Sequence, residues 1–445
     1  MPRPAAQPDS LYYRYPRYRA ARAAELDGAA GTHAVVIVGA GPVGLTAALA
    51  LARHGIASVV LDGKTSVGEG SRAICIARHS FETFQQLGVA APFLARALPW
   101  THGTSFYRDR PVYRFEMPHS ADERFHPMYN IQQQYIEEYL VSAAAASPLI
   151  ELRWGHALDT LTVRDAGVRL AVTSPEGRYA LSGRYLVAAD GAHSRVRQQL
   201  GLRLHGDACE GRYVIVDIHL RSGHPTERRA FFDPPANRGA TVLVHKQPHD
   251  IWRIDYQLRD DEDAEEALAE RAIRARVGAI VDMLGERAPW RLEWWSLYKA
   301  YTLCLDDYRH GPVLFAGDSA HLVPIFGVRG LNSGLADAAD LGWKLAFVLD
   351  GRAADGLLDS YTPERRGATL DIFAQAGRSA RFMTPPTRGE RCLRDAALSL
   401  AERHPEVRRL LDPRQSQPYT YAASPLTSVD DPRDAFDGAL LPGAA

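Results

Sequence analysis

At 445 residues the chain is long enough for two or three structural units. Its 46% hydrophobic and 24% charged residues are ordinary for a globular protein, and 52 basic against 53 acidic residues leave no basic surplus for a nucleic-acid partner. The uncharged stretch 34–52 is broken by Gly39, Gly41, Pro42 and Gly44, and the N-terminus lacks the apolar core of a secretory signal, so neither a membrane partner nor export is expected.

Residues 1–32 read as an irregular N-terminal extension. Its Tyr12, Tyr13, Tyr15 and Tyr18 suit either a clasp packed on the body or a loose tail. Residues 33–38 read as a buried strand, 42–54 as a helix stopped by Gly55, and 57–61 as a second strand, together a βαβ unit. Helices are expected over 80–87 and 133–146. Strands are expected over 158–163, 168–173 and 178–181, forming a meander, and a separate buried strand over 185–189. Residues 213–220, 240–245 and 251–258 alternate as an antiparallel sheet does, and 260–284 interrupts them with a helical stretch. A short strand (313–316) and a long helix (333–349) follow. Beyond 360 the chain reads as helical, then Pro-rich and irregular after Pro413. The cysteines Cys75, Cys209, Cys304 and Cys392 show no metal or disulfide spacing, which suggests buried thiols in a reducing cytoplasm and no metal site.

This order implies an α/β chain. A Rossmann-like dinucleotide-binding unit (33–105, 130–209, 301–370) receives an inserted, mostly antiparallel β-sheet domain (106–129, 210–300), and a helical C-terminal segment (371–445) closes the chain. Gly39-Ala40-Gly41-Pro42-Val43-Gly44 is a GxGxxG between a strand and a helix. Gly39 permits the tight turn, Gly41 leaves room for a pyrophosphate, and Gly44 lets the helix lie close to the strand. The helix N-terminus offers N–H groups and positive partial charge to phosphate. Asp62, 18 residues after Gly44 and followed by Gly63, stands where a carboxylate accepts ribose hydroxyls.

The stretches YLVAADGAHSRVR (185–197) and GPVLFAGDSAHLVPIFGVRGLN (311–332), together with the glycine motif, resemble the class A FAD-dependent aromatic monooxygenases of the para-hydroxybenzoate hydroxylase family. Within that family the chain looks nearest to the branch acting on 3-(3-hydroxyphenyl)propionate and polyketides. The resemblance runs from about residue 34 to 349 and implies FAD and NAD(P)H as cofactors. It places Asp318, after Gly317, on the ribityl chain. Pro324 and the loop from Gly327 through Gly330 and Leu331 to Asn332 then lie along the isoalloxazine, with a helix N-terminus facing its pyrimidine edge. Asp190, Gly191, Ser194 and Arg197 match a DGxxSxxR motif near FAD and the nicotinamide path. Arg72 falls near the pyrophosphate and Gln133 at the flavin side. One departure is Val328-Arg329-Gly330, where many relatives begin the triplet with glycine. A β-branched residue resists positive φ, so either the loop differs locally or Gly327 takes over the turn.

The implied reaction is reduction of FAD by NAD(P)H, addition of O2 at flavin C4a, and transfer of OH from the hydroperoxide to a phenolic ring. The inserted sheet is expected to roof that site, with His219, His245, Arg253, Tyr256 and Trp295 as candidates. No catalytic base is singled out. No Ser-His-Asp arrangement or halogenase WxWxIP element is present, and the C-terminal thioredoxin-like domain of many phenol hydroxylases is expected to be absent. The partners implied are a small aromatic substrate and O2, in a monomer or homodimer. Alternative readings are an FAD-dependent oxidoreductase, hydroxylase or epoxidase of a non-aromatic polyketide, and a non-catalytic FAD-binding protein. A plain NAD dehydrogenase leaves residues 317–332 unexplained.

Overall fold

The computed structural model describes residues 10–28, 31–70, 72–164, 167–324, 327–411 and 419–427. Its first sheet carries five parallel strands in the order Val313–Phe315, Gly177–Ala188, Thr32–Val38, Ser58–Asp62, Ile150–Trp154. Val35, Val36 and Ile37 of the central strand are fully buried, as an apolar run flanked by strands on both sides requires. The chain leaves that strand toward Ser58–Asp62 on one side, and the Gly177–Ala188 strand flanks it on the other. This creates a topological switch point at the carboxyl ends, where α/β sheets bind ligands.

The meander is present, but the strands expected over 178–181 and 185–189 are one strand, Gly177–Ala188. In the fold Gly183 pairs with both Val168 and His33, and a Cβ there would stand 2.8 Å from Val36 Cγ2. Its glycine therefore serves close strand approach. The helical stretch expected over 260–284 is two helices, Ala264–Ala267 and Glu270–Met283, and the long helix begins a turn earlier than expected, as Gly330–Leu349.

The second sheet runs His321–Leu322, Trp290–Cys304, His205–Leu220, Ile251–Gln257, Thr241–Gln247, Arg228–Phe232, His102–Tyr107, Arg110–Glu116. It is antiparallel except where Arg228–Phe232 meets His102–Tyr107. The strand His102–Tyr107 straddles the boundary expected at residue 105 and lies wholly in this sheet. On the sheet's outer face Val214, Val216, Trp252, Ile254 and Tyr256 pack against Ile273, Val277 and Ile280 of the Glu270–Met283 helix. Part of the inner face is covered by C-terminal helices: Tyr213, Phe232 and Leu243 pack with Ala380, Met383 and Leu398. The stretch expected to be irregular after Pro413 lies mostly outside the described residues.

The N-terminal extension is a clasp where it is described. Leu11 N donates to Glu293 of the second sheet at 2.6 Å, and Tyr15 OH accepts from Gly70 N at 3.1 Å. Tyr13 meets Tyr135 edge-on at 5.0 Å and Tyr18 stacks on Trp154 at 4.6 Å. The strap thereby ties both sheets together. Among the cysteines, Cys75 and Cys304 are buried free thiols, whereas Cys392 is exposed, against the expectation of burial. Among the described residues no helix is long and apolar enough to cross a membrane.

Candidate cofactor and substrate site

Three loops meet at the carboxyl edge of the parallel sheet. Gly39 has φ +110°, and a Cβ there would stand 2.3 Å from Ala189 O; a Cβ on Gly44 would stand 1.9 Å from Gly39 O. Both positions are closed to any side chain. At Gly41, by contrast, a Cβ would meet nothing within 4 Å, so its missing side chain leaves open space at the N-terminus of the Pro42–Arg53 helix. Pro42 opens that helix where its missing N–H has no intrahelical partner to lose. Asp62 is oriented by the loop it serves: Oδ2 accepts from Ala40 N at 2.9 Å and Oδ1 from Lys64 N at 2.8 Å. Each oxygen keeps a lone pair for a ribose hydroxyl. A Cβ on Gly63 would make only an ordinary contact, 3.4 Å from the Ala157 methyl.

Asp190 caps the Arg195–Gln199 helix through Oδ2, which accepts from Arg195 N at 2.7 Å and Val196 N at 3.0 Å. Its Oδ1 is buried without a partner, and burial raises its carboxyl above the usual range. Gly191 takes φ +78° to turn the loop. Ser194 Oγ accepts from Arg197 N at 3.0 Å. The Arg197 guanidinium then joins two loops, donating to Ala192 O at 2.6 Å and Ser319 O at 2.9 Å.

Gly317 has φ +63°, and a Cβ there would stand 2.9 Å from Val43 Cγ2; a Cβ on Gly334, in the long helix, would stand 2.7 Å from the same methyl. The Gly317 turn and the long helix thus close on Val43 of the glycine motif. Asp318 is open to solvent along one side but enclosed enough that burial raises its pKa, against the opposing pull of His321, Arg72 and Arg197. Ser319 donates to Ala188 O at 2.5 Å, so its hydroxyl is structural. Behind this turn lies a buried network that sequence reading missed. Asp337 accepts from Gly317 N at 3.0 Å, His321 Nε2 at 2.7 Å and Arg365 Nε at 2.8 Å.

The loop toward the long helix takes positive φ at both Gly327 (+94°) and Val328 (+53°), so glycine does not relieve the valine. Val328 nevertheless packs against the cluster of Ile74, Trp100, Phe115 and Met128. Val328→Gly is expected to raise unfolding stability by about 1 kcal/mol, because a left-handed L-residue costs roughly 1–2 kcal/mol. A urea midpoint that falls instead means the side-chain packing outweighs the strain. Pro324 is buried, and its neighbour's carbonyl, Val323 O, accepts from Tyr298 OH at 3.0 Å. Gly330 opens the helix with its Cβ position 3.2 Å from Val323 Cγ2, and Leu331 packs on the main core. Asn332 differs from expectation in its side chain. Oδ1 accepts from Ala77 N and Ser80 Oγ, both at 2.8 Å, and Nδ2 donates to Cys75 O at 3.1 Å and Val328 O at 2.6 Å. All four side-chain sites are engaged, which leaves its backbone N–H at the helix N-terminus to meet a ligand.

Arg72 and Gln133 meet one segment: Gln133 Oε1 accepts from Ala73 N at 3.0 Å, and the exposed Arg72 lends its carbonyl to Arg253 Nη1 at 3.2 Å. Of the expected roof, Tyr256 and Trp295 belong to the outer-face core, where Trp295 Nε1 donates to Leu268 O at 3.2 Å. Strand parity sends them away from the site. His245, Arg253 and His219 are on the inner face, by the register Asp217↔Arg253↔His245 and His219↔Ile251↔Gln247. Asp255, on the same face, is pushed up to about 7 by burial, against the pull of Arg253.

The glycine cradle, the oriented Asp62 and the unpartnered Asp190 Oδ1 fit a dinucleotide. A sequence profile described as "FAD binding domain" matches residues 32–376. The chain belongs to the FAD binding domain family. Among relatives of this FAD-binding chain is a 3-(3-hydroxy-phenyl)propionate/3-hydroxycinnamic acid hydroxylase of Mycobacterium sp. (strain JLS), 31% identical over 84% of this chain and 64% of the relative. The chain thus spans just under two thirds of that relative's length. Among solved structures, p-nitrophenol 4-monooxygenase PnpA from Pseudomonas putida DLL-E4 is 25% identical with a TM-score of 0.74, covering 86% of this chain and 97% of that one. OxyS anhydrotetracycline hydroxylase from Streptomyces rimosus is 29% identical with a TM-score of 0.65, covering 86% and 75%.

Proposed function

We propose that this FAD-binding chain is a monooxygenase that uses NAD(P)H and O2 to hydroxylate a phenolic or related aromatic compound. The observation that carries this reading is the meeting of two surfaces. Three glycine-turned loops converge at the parallel sheet's carboxyl edge, and the polar inner face of the second sheet reaches the segment of Arg72, whose guanidinium acts on Asp318 of one of them. Bound FAD would supply the redox chemistry between NAD(P)H, O2 and the ring. The chain's own residues hold and shield it. The loop from Gly39 to Gly44, with Asp62, takes the pyrophosphate and ribose, Asp318 the ribityl chain, and the N-terminus of the Gly330–Leu349 helix favours negative charge at the flavin's edge. The Ile74, Trp100, Phe115 and Met128 cluster, with Val328, excludes water beside it.

The test is the visible spectrum of the purified protein, followed by anaerobic NADH or NADPH addition with and without phenols, among them 3-(3-hydroxyphenyl)propionate. Flavin bands that bleach faster with one phenol, and a hydroxylated product on admitting air, are the expected result. Bands that never bleach, or no flavin even after adding FAD, would overturn the proposal.

A further inference from the structure

We propose that Arg228, with His245 beside it, receives an anionic oxygen group, a carboxylate or phenolate, of the aromatic substrate. This inference rests on the monooxygenase reading for the word substrate, and on the inner face of the second sheet for everything else.

Four strands set one row of side chains across that face. Asp217 pairs with Arg253, Arg253 with His245, and the Arg229↔Val244 register carries the row to Arg228. The charges in the row do not balance. Arg253 takes both oxygens of Asp217, at 2.7 and 3.1 Å. Glu227, next in sequence to Arg228, is engaged by Arg229 at 3.0 Å and Thr104 at 3.2 Å. Arg228 is 6% exposed and makes no hydrogen bond or ion pair among the described residues. The titratable groups that face it are His245 and the Cys75 thiol, which burial pushes up to about 12 and so keeps neutral. An unmatched buried guanidinium is costly unless something neutralises it.

The surroundings suit an oxyanion on a ring. His245 is 4% exposed with Nδ1 unpartnered, and burial together with Arg228 and Arg253 pushes it down to about 3, so it stays a neutral imidazole. Gln247, two residues on and on the same face, is 1% exposed with both amide atoms unpartnered. The row ends at Gly103 and Phe115, and Phe115 belongs to the apolar cluster that reaches Val328 of the flavin-side loop. An apolar, aromatic-bearing cluster and an unmatched cation are therefore adjacent.

The test uses the FAD-loaded full chain and three probes: 3-phenylpropionate, 3-ethylphenol and 3-(3-hydroxyphenyl)propionate. Binding is read by flavin absorbance changes and by calorimetry. If the anion is a carboxylate, Arg228→Met weakens 3-phenylpropionate by about 30-fold and leaves 3-ethylphenol within about 3-fold. If it is a phenolate, wild type binds 3-ethylphenol with the ultraviolet band of the phenolate and Arg228→Met abolishes that band. Arg228→Lys restores part of either effect. Ligand-free Arg228→Met is also expected to melt several degrees higher, because an unpaired buried charge has gone; a purely structural arginine would make it melt lower. Equal binding of both simple probes to wild type and variant, no binding of any probe to wild type, or a lowered melting temperature overturns the inference. Arg228-dependent anion binding without any flavin response to NAD(P)H would leave this site standing and sink the monooxygenase reading alone.

Discussion

Gly41→Val is expected to give a folded protein without flavin, whereas Gly44→Ala is expected to damage the fold itself. The two glycines are three residues apart in one motif, and their empty Cβ positions differ completely. At Gly41 nothing lies within 4 Å and the backbone (φ −78°, ψ −178°) is extended, so valine is accommodated without strain. A substitution with no protein neighbour changes stability by only about 0.5 kcal/mol. The space it fills is the space a pyrophosphate needs at the helix N-terminus. FAD affinity should fall at least about 100-fold, equivalent to ~3 kcal/mol. At Gly44 the added methyl would sit 1.9 Å from Gly39 O, which is backbone and cannot swing aside. The Pro42–Arg53 helix must move, at a cost of about 3 kcal/mol. Urea unfolding and bound-flavin absorbance on both variants separate the cases. A Gly41→Val protein that keeps FAD at wild-type affinity would remove the phosphate from this loop.

The loops around Val43 were legible because their requirements are local. Gly39, Gly44 and Gly317 stand where a Cβ would clash or where φ is positive, and such needs leave glycine in the sequence at fixed spacing. The carboxylates at the strand ends, Asp62 and Asp318, were legible for the same reason. Asn332 was only half legible. Its place at the helix N-terminus follows from the pattern, but its side chain reaches back to Cys75, Ala77 and Ser80, more than 250 residues earlier, and no local pattern announces that.

The inner face of the second sheet was harder to read for a different reason. In IWRIDYQ, alternation separates Trp252, Ile254 and Tyr256 from Arg253 and Asp255, and charged residues opposite an apolar face ordinarily meet water. Here the apolar face is covered by the Glu270–Met283 helix, and the charged face is buried too, against the first unit and the C-terminal helices. Burial of the charged face depends on elements more than 100 residues away in the chain, such as the segment of Arg72 and the helices carrying Ala380 and Leu398. The aromatic roof candidates Tyr256 and Trp295 failed on the same parity that would have selected Asp217, Arg228 and Asp255. Gly183 lies in the gap between the strands expected over 178–181 and 185–189, and there it allows one continuous strand to be flanked closely on both sides.

Asp337→Asn should be among the most damaging isosteric substitutions in the chain. The carboxylate is fully buried and binds Gly317 N, His321 and Arg365 together. Burial alone would raise its pKa, but His321 and Arg365 more than offset that and hold it down at about 2. An amide of the same shape removes the charge and leaves a buried guanidinium uncompensated, a loss of about 3–5 kcal/mol. The pH dependence gives a second readout. A carboxylate whose folded pKa lies below its unfolded value of about 4 binds protons more readily when unfolded. Its contribution is complete above about pH 4 and disappears as pH falls toward about 2. For a fully buried group with this shift the contribution is about 2 kcal/mol. Unfolding free energy of the wild type should therefore drop across that window by this amount more than in the variant. Because Gly317 N is one of the donors, the Gly317–Asp318 turn should loosen as well, and FAD should dissociate from the variant under conditions where the chain is still folded. A variant with wild-type stability and the same acid slope would show that the pair is not charged in the folded protein, and the network would then be an ordinary hydrogen-bonded turn.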